Sequence, residues 1–334
     1  VDWAQDELNV QVHSFQDTRD ATIISPTIDL AKDFTDRTSL RVKFGLDAIS
    51  AASDSCVRCH RPGANDTRVL AGASLIRKLS DDTKLTVGAE VGHEKFYQST
   101  TVLASISKNL NKGNTTVAGG YSFSLNRPQL HPSQQTENQF ANDAYASLTQ
   151  TLTKSTIAQF GYEIAQINGY QSSPFLRALL NGERVVGVSP DSRTRQTLTV
   201  RLRQALPLDS YLETDYRHYL DNWSIHSNSL QVGLSHYVTR QLLANVSYRW
   251  YQQTGAFFYA PEYFGNPQYF TGDFRFQPFD SSLYSGRLVL TPRGRVLWLP
   301  AGAALTAEYE YYRSTTGFAA AIFTGGVRIP LGTR

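Results

Sequence analysis

The chain has no methionine in 334 residues and only two cysteines. With Val1 in first place, it reads as a processed product from which a signal peptide has been removed. It also lacks any apolar run near the roughly 18 residues that a membrane-spanning helix requires. Its mean hydropathy is negative, at −0.34. A helical membrane protein is therefore excluded. Basic and acidic residues nearly balance, 32 against 29, and no basic block stands out. That argues against a nucleic-acid partner. No G-x-S-x-G, P-loop or H-E-x-x-H motif occurs, so no enzyme is expected. Aromatic residues, by contrast, are abundant: 4 Trp, 18 Tyr and 17 Phe, too many for a solvated disordered chain.

The hydrophobic pattern repeats at period two, in runs of about ten residues broken by turn chemistry. Leu40, Val42, Phe44, Leu46 and Ala48 alternate with Arg41, Lys43, Gly45 and Asp47. Ala244, Val246, Tyr248 and Trp250 alternate with Asn245, Ser247 and Arg249. Leu305, Ala307, Tyr309 and Tyr311 oppose Thr306, Glu308 and Glu310. A soluble sandwich would also alternate. However, these runs match the length that crosses an outer membrane at a tilt, and aromatics cluster near their ends as an interfacial girdle requires. The fold class expected is all-β: a single transmembrane antiparallel β-barrel over residues 1–334, of about 16 strands. The strands begin near Leu8, Ile24, Ser39, Val69, Lys84, Thr101, Thr115, Asp143, Thr156, Arg195, Ser210, Ser224, Leu242, Ser282, Ala304 and Phe318.

Connections are expected to alternate short and long. Tight turns at Asp81–Asp82, Asn111–Asn114, Leu152–Ser155, Leu206–Leu208 and Val238–Arg240 belong to the periplasm. The longest connections, near 126–142, 168–193 and 253–281, then face outward, as does the loop 50–67. The 253–281 loop carries ten aromatics, Phe257, Phe258 and Tyr263 among them, which would not stay bare in water. It is expected to act as a plug or as a docking surface. Charged residues of the alternation, including Arg41, Lys43, Glu163, Arg201, Arg203, Glu213, Asp215, Arg217, Arg249, Arg287 and Glu308, must face the lumen, because lipid would penalise them by a few kcal/mol. Ion pairing along the wall or a pore lining would each account for them. The chain closes on Ile329-Pro330-Leu331-Gly332-Thr333-Arg334 without the final aromatic common in bacterial barrels, so the last strand or its recognition by the assembly machinery is expected to be atypical.

Two stretches carry a resemblance. One is Asp47-Ala48-Ile49-Ser50-Ala51-Ala52-Ser53. The other is Tyr248-Arg249-Trp250-Tyr251-Gln252, followed by Ala256-Phe257-Phe258-Tyr259 and then Tyr269, Asp273 and Arg275. Together they resemble a domain-of-unknown-function family of bacterial outer-membrane proteins. That family has Gly at the position of Ala51 and Tyr at the position of Trp250. The resemblance implies an outer-membrane barrel and supplies no reaction.

The chemistry-bearing motif is Cys56-Val57-Arg58-Cys59-His60, a CxxCH. Its spacing lets two thiols add to the vinyl groups of one haem while the following histidine ligates the iron. With 7 His in 334 residues, a His follows a given CxxC by chance only roughly 2% of the time. The alternatives are a Cys56–Cys59 disulfide in an oxidising compartment and a metal site needing a fourth ligand. Because methionine is absent, a distal ligand within the chain has to be another histidine; the candidates are His131, His93 and His13. His236 falls at the periplasmic end and is set aside. The expectation is an outer-membrane barrel with one covalent haem c on an extracellular loop. Its partners would be the lipid bilayer and a multihaem cytochrome or another electron-transfer protein. The alternative is a porin or structural barrel whose cysteines form a disulfide.

Overall fold

The computed structural model describes residues 6–19, 21–50, 65–129, 135–173, 176–295 and 299–332. The strands are β1 (Glu7–Asp17), β2 (Thr22–Thr35), β3 (Thr38–Ser50), β4 (Asn65–Lys78), β5 (Thr83–Glu94), β6 (Tyr97–Leu110), β7 (Thr115–Pro128), β8 (Gln139–Thr151) and β9 (Thr156–Gly169). They continue as β10 (Arg177–Leu180), β11 (Glu183–Val186), β12 (Ser192–Leu206), β13 (Ser210–Asp221), β14 (His226–Tyr237), β15 (Leu242–Gln253), β16 (Phe279–Leu290), β17 (Ala304–Ser314) and β18 (Ala319–Pro330). Sixteen of them close into one barrel, each antiparallel to its sequence neighbours, with β12 following β9. The short pair β10–β11 stands apart as a hairpin.

Closure runs through β1 and β18, which pair continuously from Glu7↔Pro330 to Asp17↔Ala320. The last strand itself is thus regular, so of the two expectations drawn from its non-aromatic ending the one about strand pairing does not hold. A closed barrel leaves no edge strand, which is what a lipid-embedded sheet needs to satisfy its backbone groups.

The alternation in sequence becomes two surfaces. On β6 every second side chain is exposed, and Val102 and Ile106 point out. Val42 and Phe44 on β3, Val87 and Val91 on β5, Leu230 and Val232 on β14, and Tyr309 and Tyr311 on β17 do the same. An apolar exterior of this kind suits lipid and would aggregate in water. The inner face carries the charged set. Arg41 pairs with Asp29 at 2.6 Å, Arg201 with Asp215 at 3.3 Å and Arg203 with Glu213 at 3.2 Å.

The strands of the wall span 11 residues in β1 to 15 in β12. Several reach further toward the long-loop end than the hydrophobic pattern indicates. β4, β6 and β8 begin at Asn65, Tyr97 and Gln139, four residues before the expected starts. There the strict alternation gives out while backbone pairing continues, as in Tyr97↔Pro128 and Gln139↔Gly169. Periodicity reports contact with lipid, and pairing outlasts it.

The rule of alternating short and long connections also needs correction. At the long-loop end, residues 95–96 alone join β5 to β6, and four-residue turns join β1 to β2, β13 to β14 and β17 to β18. At the opposite end, residues 291–303 form a long connection, with Leu299 and Ala303 buried. Side-chain caps explain two of the tight turns. Asp17 Oδ1 accepts from the Arg19 and Ala21 amides, and Asp221 Oδ1 accepts from the Trp223 and Ile225 amides. Such Asx caps close a hairpin at either end of a barrel. At the short-turn end, the Ser80 and Thr83 hydroxyls donate to Asp82 and hold its carboxyl below the usual range. Leu208 and Asp209 turn there at φ of 59° and 51°.

Candidate functional site in the lumen

Cys56, Cys59, His60 and His131 lie outside the described residues. The connection 51–64 leaves the long-loop rim between β3 and β4, whose last pair is Ser50↔Asn65. His13 sits within the wall, its Nδ1 2.8 Å from Thr324 Oγ1. His93 is exposed on β5, opposite Val69 and Gln98. His236 hydrogen-bonds Ser210 at 2.9 Å, at the short-turn end.

Over the long-loop end of the lumen lies a packed layer made from two connections, 170–191 and 254–278. Leu180 bridges in parallel to Tyr263, and Val188 bridges antiparallel to Phe270. Asn181 Nδ2 donates to Gly265 O at 3.0 Å, while Gly265 N donates to Asn181 Oδ1 at 2.8 Å. The Tyr263 hydroxyl accepts from the Ala260 and Thr271 amides and donates to Phe258 O at 2.9 Å. Ala178, Tyr263 and Phe270 form one small core; Trp223, Ile225, Ala256 and Phe258 form a second, edged by Tyr219, Tyr259, Tyr269 and Phe276. Within the second, Trp223 meets Phe258 and Phe276 edge-on, with ring centroids 5.1 and 5.4 Å apart. Such pairs add directional preference to apolar burial.

A buried ion pair between wall strands β12 and β13 braces the β13–β14 turn, whose Trp223 and Ile225 pack against the layer. Arg193 Nε and Nη2 both donate to Asp221 Oδ2, at 2.8 and 2.5 Å, and Tyr219 Oη donates to the same oxygen at 2.7 Å. The Arg193 guanidinium lies 4.3 Å above the Trp223 ring, whose Nε1 donates to Ser192 O. A second pair stiffens the loop itself. Asp273 caps a single 3-10 turn by accepting from the Arg275 amide, and its carboxylate takes the Arg275 side chain as well. Asp273 keeps the Arg275 proton above its usual range.

The two connections approach closely at Gly272. A Cβ there would fall 2.0 Å from Arg177 O, on the backbone of β10. Gly272→Ala is therefore expected to force the two loops apart and destabilise the layer by about 1–3 kcal/mol, the usual range for overpacking. Limited proteolysis of the folded barrel checks this: cleavage within 170–191 should quicken while the strands remain intact.

Beneath the layer the lumen holds a cavity of about 1160 Å³. Its walls carry Arg193, Arg195, Arg201, Arg217 and Arg249 from the strands, and its ceiling carries Arg275, Trp223 and Phe276. The carboxylates lining it are Glu94, Glu163, Asp215 and Asp273. Arg201, Asp215, Glu163, Arg217 and Arg249 are lumen positions that alternation identifies. Arg193, Asp221 and Trp223 carry no such signal, apart from the turn-forming run Asp221-Asn222-Trp223-Ser224. Of the motif residues noted in sequence, Ala256, Phe258, Tyr269, Asp273 and Arg275 all belong to the packed layer.

Solved structures with the same fold include outer-membrane proteins and receptors. OpdK of Pseudomonas aeruginosa, solved with vanillate, aligns over 97% of this chain and 97% of its own, at a TM-score of 0.51 and 8% identity. The siderophore receptor PirA of the same organism aligns over 99% of this chain and 64% of its own, at a TM-score of 0.52 and 12% identity. At such identities the likeness establishes the barrel fold alone. No curated protein matches. The family described as "Protein of unknown function (DUF3570)" matches residues 58–144 and 127–323. With most of its length inside that match, the chain belongs to the DUF3570 family.

Proposed function

We propose that this barrel carries one covalent c-type haem on the connection 51–64 and takes part in electron transfer at the cell surface, with the haem as its contact to a multihaem cytochrome or another electron-transfer protein. The observation that carries this reading is Cys56-Val57-Arg58-Cys59-His60, the haem-attachment spacing in a chain with no other cysteine. A partner is required because the hydrocarbon layer, about 30 Å thick, exceeds what one haem can bridge. His60 is the proximal ligand in this reading. His131 and His93 stand ahead of His13 for the distal position, since the His13 ring already bonds Thr324. The protein acts as a carrier and anchor, without catalysis of its own.

The test is the intact mass of the barrel produced in cells with c-type cytochrome maturation, together with haem staining after denaturation. A gain of one haem, lost in Cys56→Ser or Cys59→Ser, is expected. A chain lighter by two hydrogens and without haem would mean a disulfide, and electron transfer would be abandoned. The second reading is then a solute channel, which the lumen cavity of about 1160 Å³ favours.

A further inference from the structure

The cavity contains more cations than its own carboxylates can satisfy, and they are not spread evenly. Among the described residues, Arg193 is held by Asp221, Arg201 by Asp215 and Arg275 by Asp273. Arg217 and Arg249 form no ion pair with any of the described residues. Three carboxylates lie on the same or nearby strands, and none forms an ion pair with either arginine. Asp215, two positions below Arg217, serves Arg201. Glu163 of β9 stands opposite Thr197 of β12, to whose hydroxyl Arg217 Nη2 donates at 3.5 Å, but it forms no ion pair among the described residues. Glu310 acts on Arg249 through space from β17.

Strand register makes the two arginines neighbours of one patch. Arg217 of β13 lies in a row with Ser229 of β14 and Tyr251 of β15, while Gln231 of β14 lies beside Arg249 of β15. All five line the cavity. The patch therefore offers two guanidinium forks, with an amide and hydroxyls between them. Tyr251 stacks toward Phe279, with ring centroids 5.5 Å apart, and Phe276 closes the ceiling, giving the same space an apolar side.

We infer that Arg217 and Arg249, with Ser229 and Gln231 between them, form a binding site for the carboxylate of a small organic acid whose apolar body rests against the aromatic ceiling. Guanidinium forks match carboxylate geometry, and each bond they donate to a carboxylate is charge-assisted. The site is independent of the haem reading, since it lies on the wall formed by β13–β15 and involves no residue of 51–64.

Calorimetric titration of the folded barrel with benzoate tests it, in a Cys56→Ser/Cys59→Ser background where no haem iron is present to take the ligand. Benzoate should bind, and benzamide, its neutral counterpart, should bind at least about tenfold more weakly. Arg217→Gln with Arg249→Gln should cost benzoate a similar factor or more, whereas Arg41→Gln, whose partner is Asp29, should leave affinity unchanged. If the double variant does not fold, each single substitution is measured alone, and each should weaken binding. Equal affinity for benzoate and benzamide, undiminished binding by the glutamine variants, or no binding of benzoate by the parent would each overturn the assignment.

Discussion

Replacing Asp221 with alanine is expected to loosen the β13–β14 turn on which the packed layer rests, at a cost of about 3–5 kcal/mol, the range for breaking a buried ion pair from one side. The Asp221 side chain is fully buried and that of Arg193 nearly so, so the arginine left behind could not recover its charge partner from water. The same substitution removes the acceptor for the Trp223 and Ile225 amides and for the Tyr219 hydroxyl. Trp223, stacked under Arg193 and at the centre of its small core, would lose its anchor. Hydrogen exchange is the direct measurement: protection of the Trp223 and Ile225 amides should collapse, while strand amides distant from the rim keep theirs. Unchanged protection would mean that aromatic packing alone holds the layer.

Val102→Arg should cost about 2–4 kcal/mol of folding stability in a bilayer, the penalty for a cation facing lipid near the midplane. Val102 lies midway along β6 and is exposed on the outer face. Its neighbour Thr101 has the opposite parity and bonds Ser124 Oγ. Thr101→Arg should lose only that bond, for about 1 kcal/mol, because the new guanidinium enters the aqueous lumen. Folding equilibria of both variants in lipid vesicles would show the asymmetry. Equal costs would mean that the two faces meet the same solvent, and the lipid-facing assignment would fail.

This contrast also explains how much could be read from the residues. The wall separates two solvents, so each strand records its orientation in its own order of apolar and polar residues. Leu40 to Ala48 and Ala244 to Trp250 show it without reference to any other segment. The candidate site was legible only where it lies on that wall. Arg201, Asp215, Arg217 and Arg249 were assigned to the lumen by parity, but parity does not say which of them find partners. The haem motif remains a reading of Cys56, Cys59 and His60, outside the described residues.

The tight turns at the long-loop rim were hidden because an Asx cap such as Asp17 or Asp221 closes a hairpin equally well at either end. The four-residue extensions of β4, β6 and β8 were hidden because backbone pairing continues where the apolar–polar alternation gives out. The packed layer was out of reach for a different reason. Its contacts join segments such as Asn181 and Gly265, 84 residues apart, and the close approach at Gly272 depends on where β10 comes to rest.

The order of residues alone thus determined a sixteen-stranded wall with an apolar outside and a charged inside, because period-two alternation between lipid and water is a local requirement on every strand. Which connections fold over the lumen, which arginines are paired and which are left to face the cavity was decided by the tertiary structure. Those outcomes depend on distances between elements remote in sequence, and no local pattern encodes them.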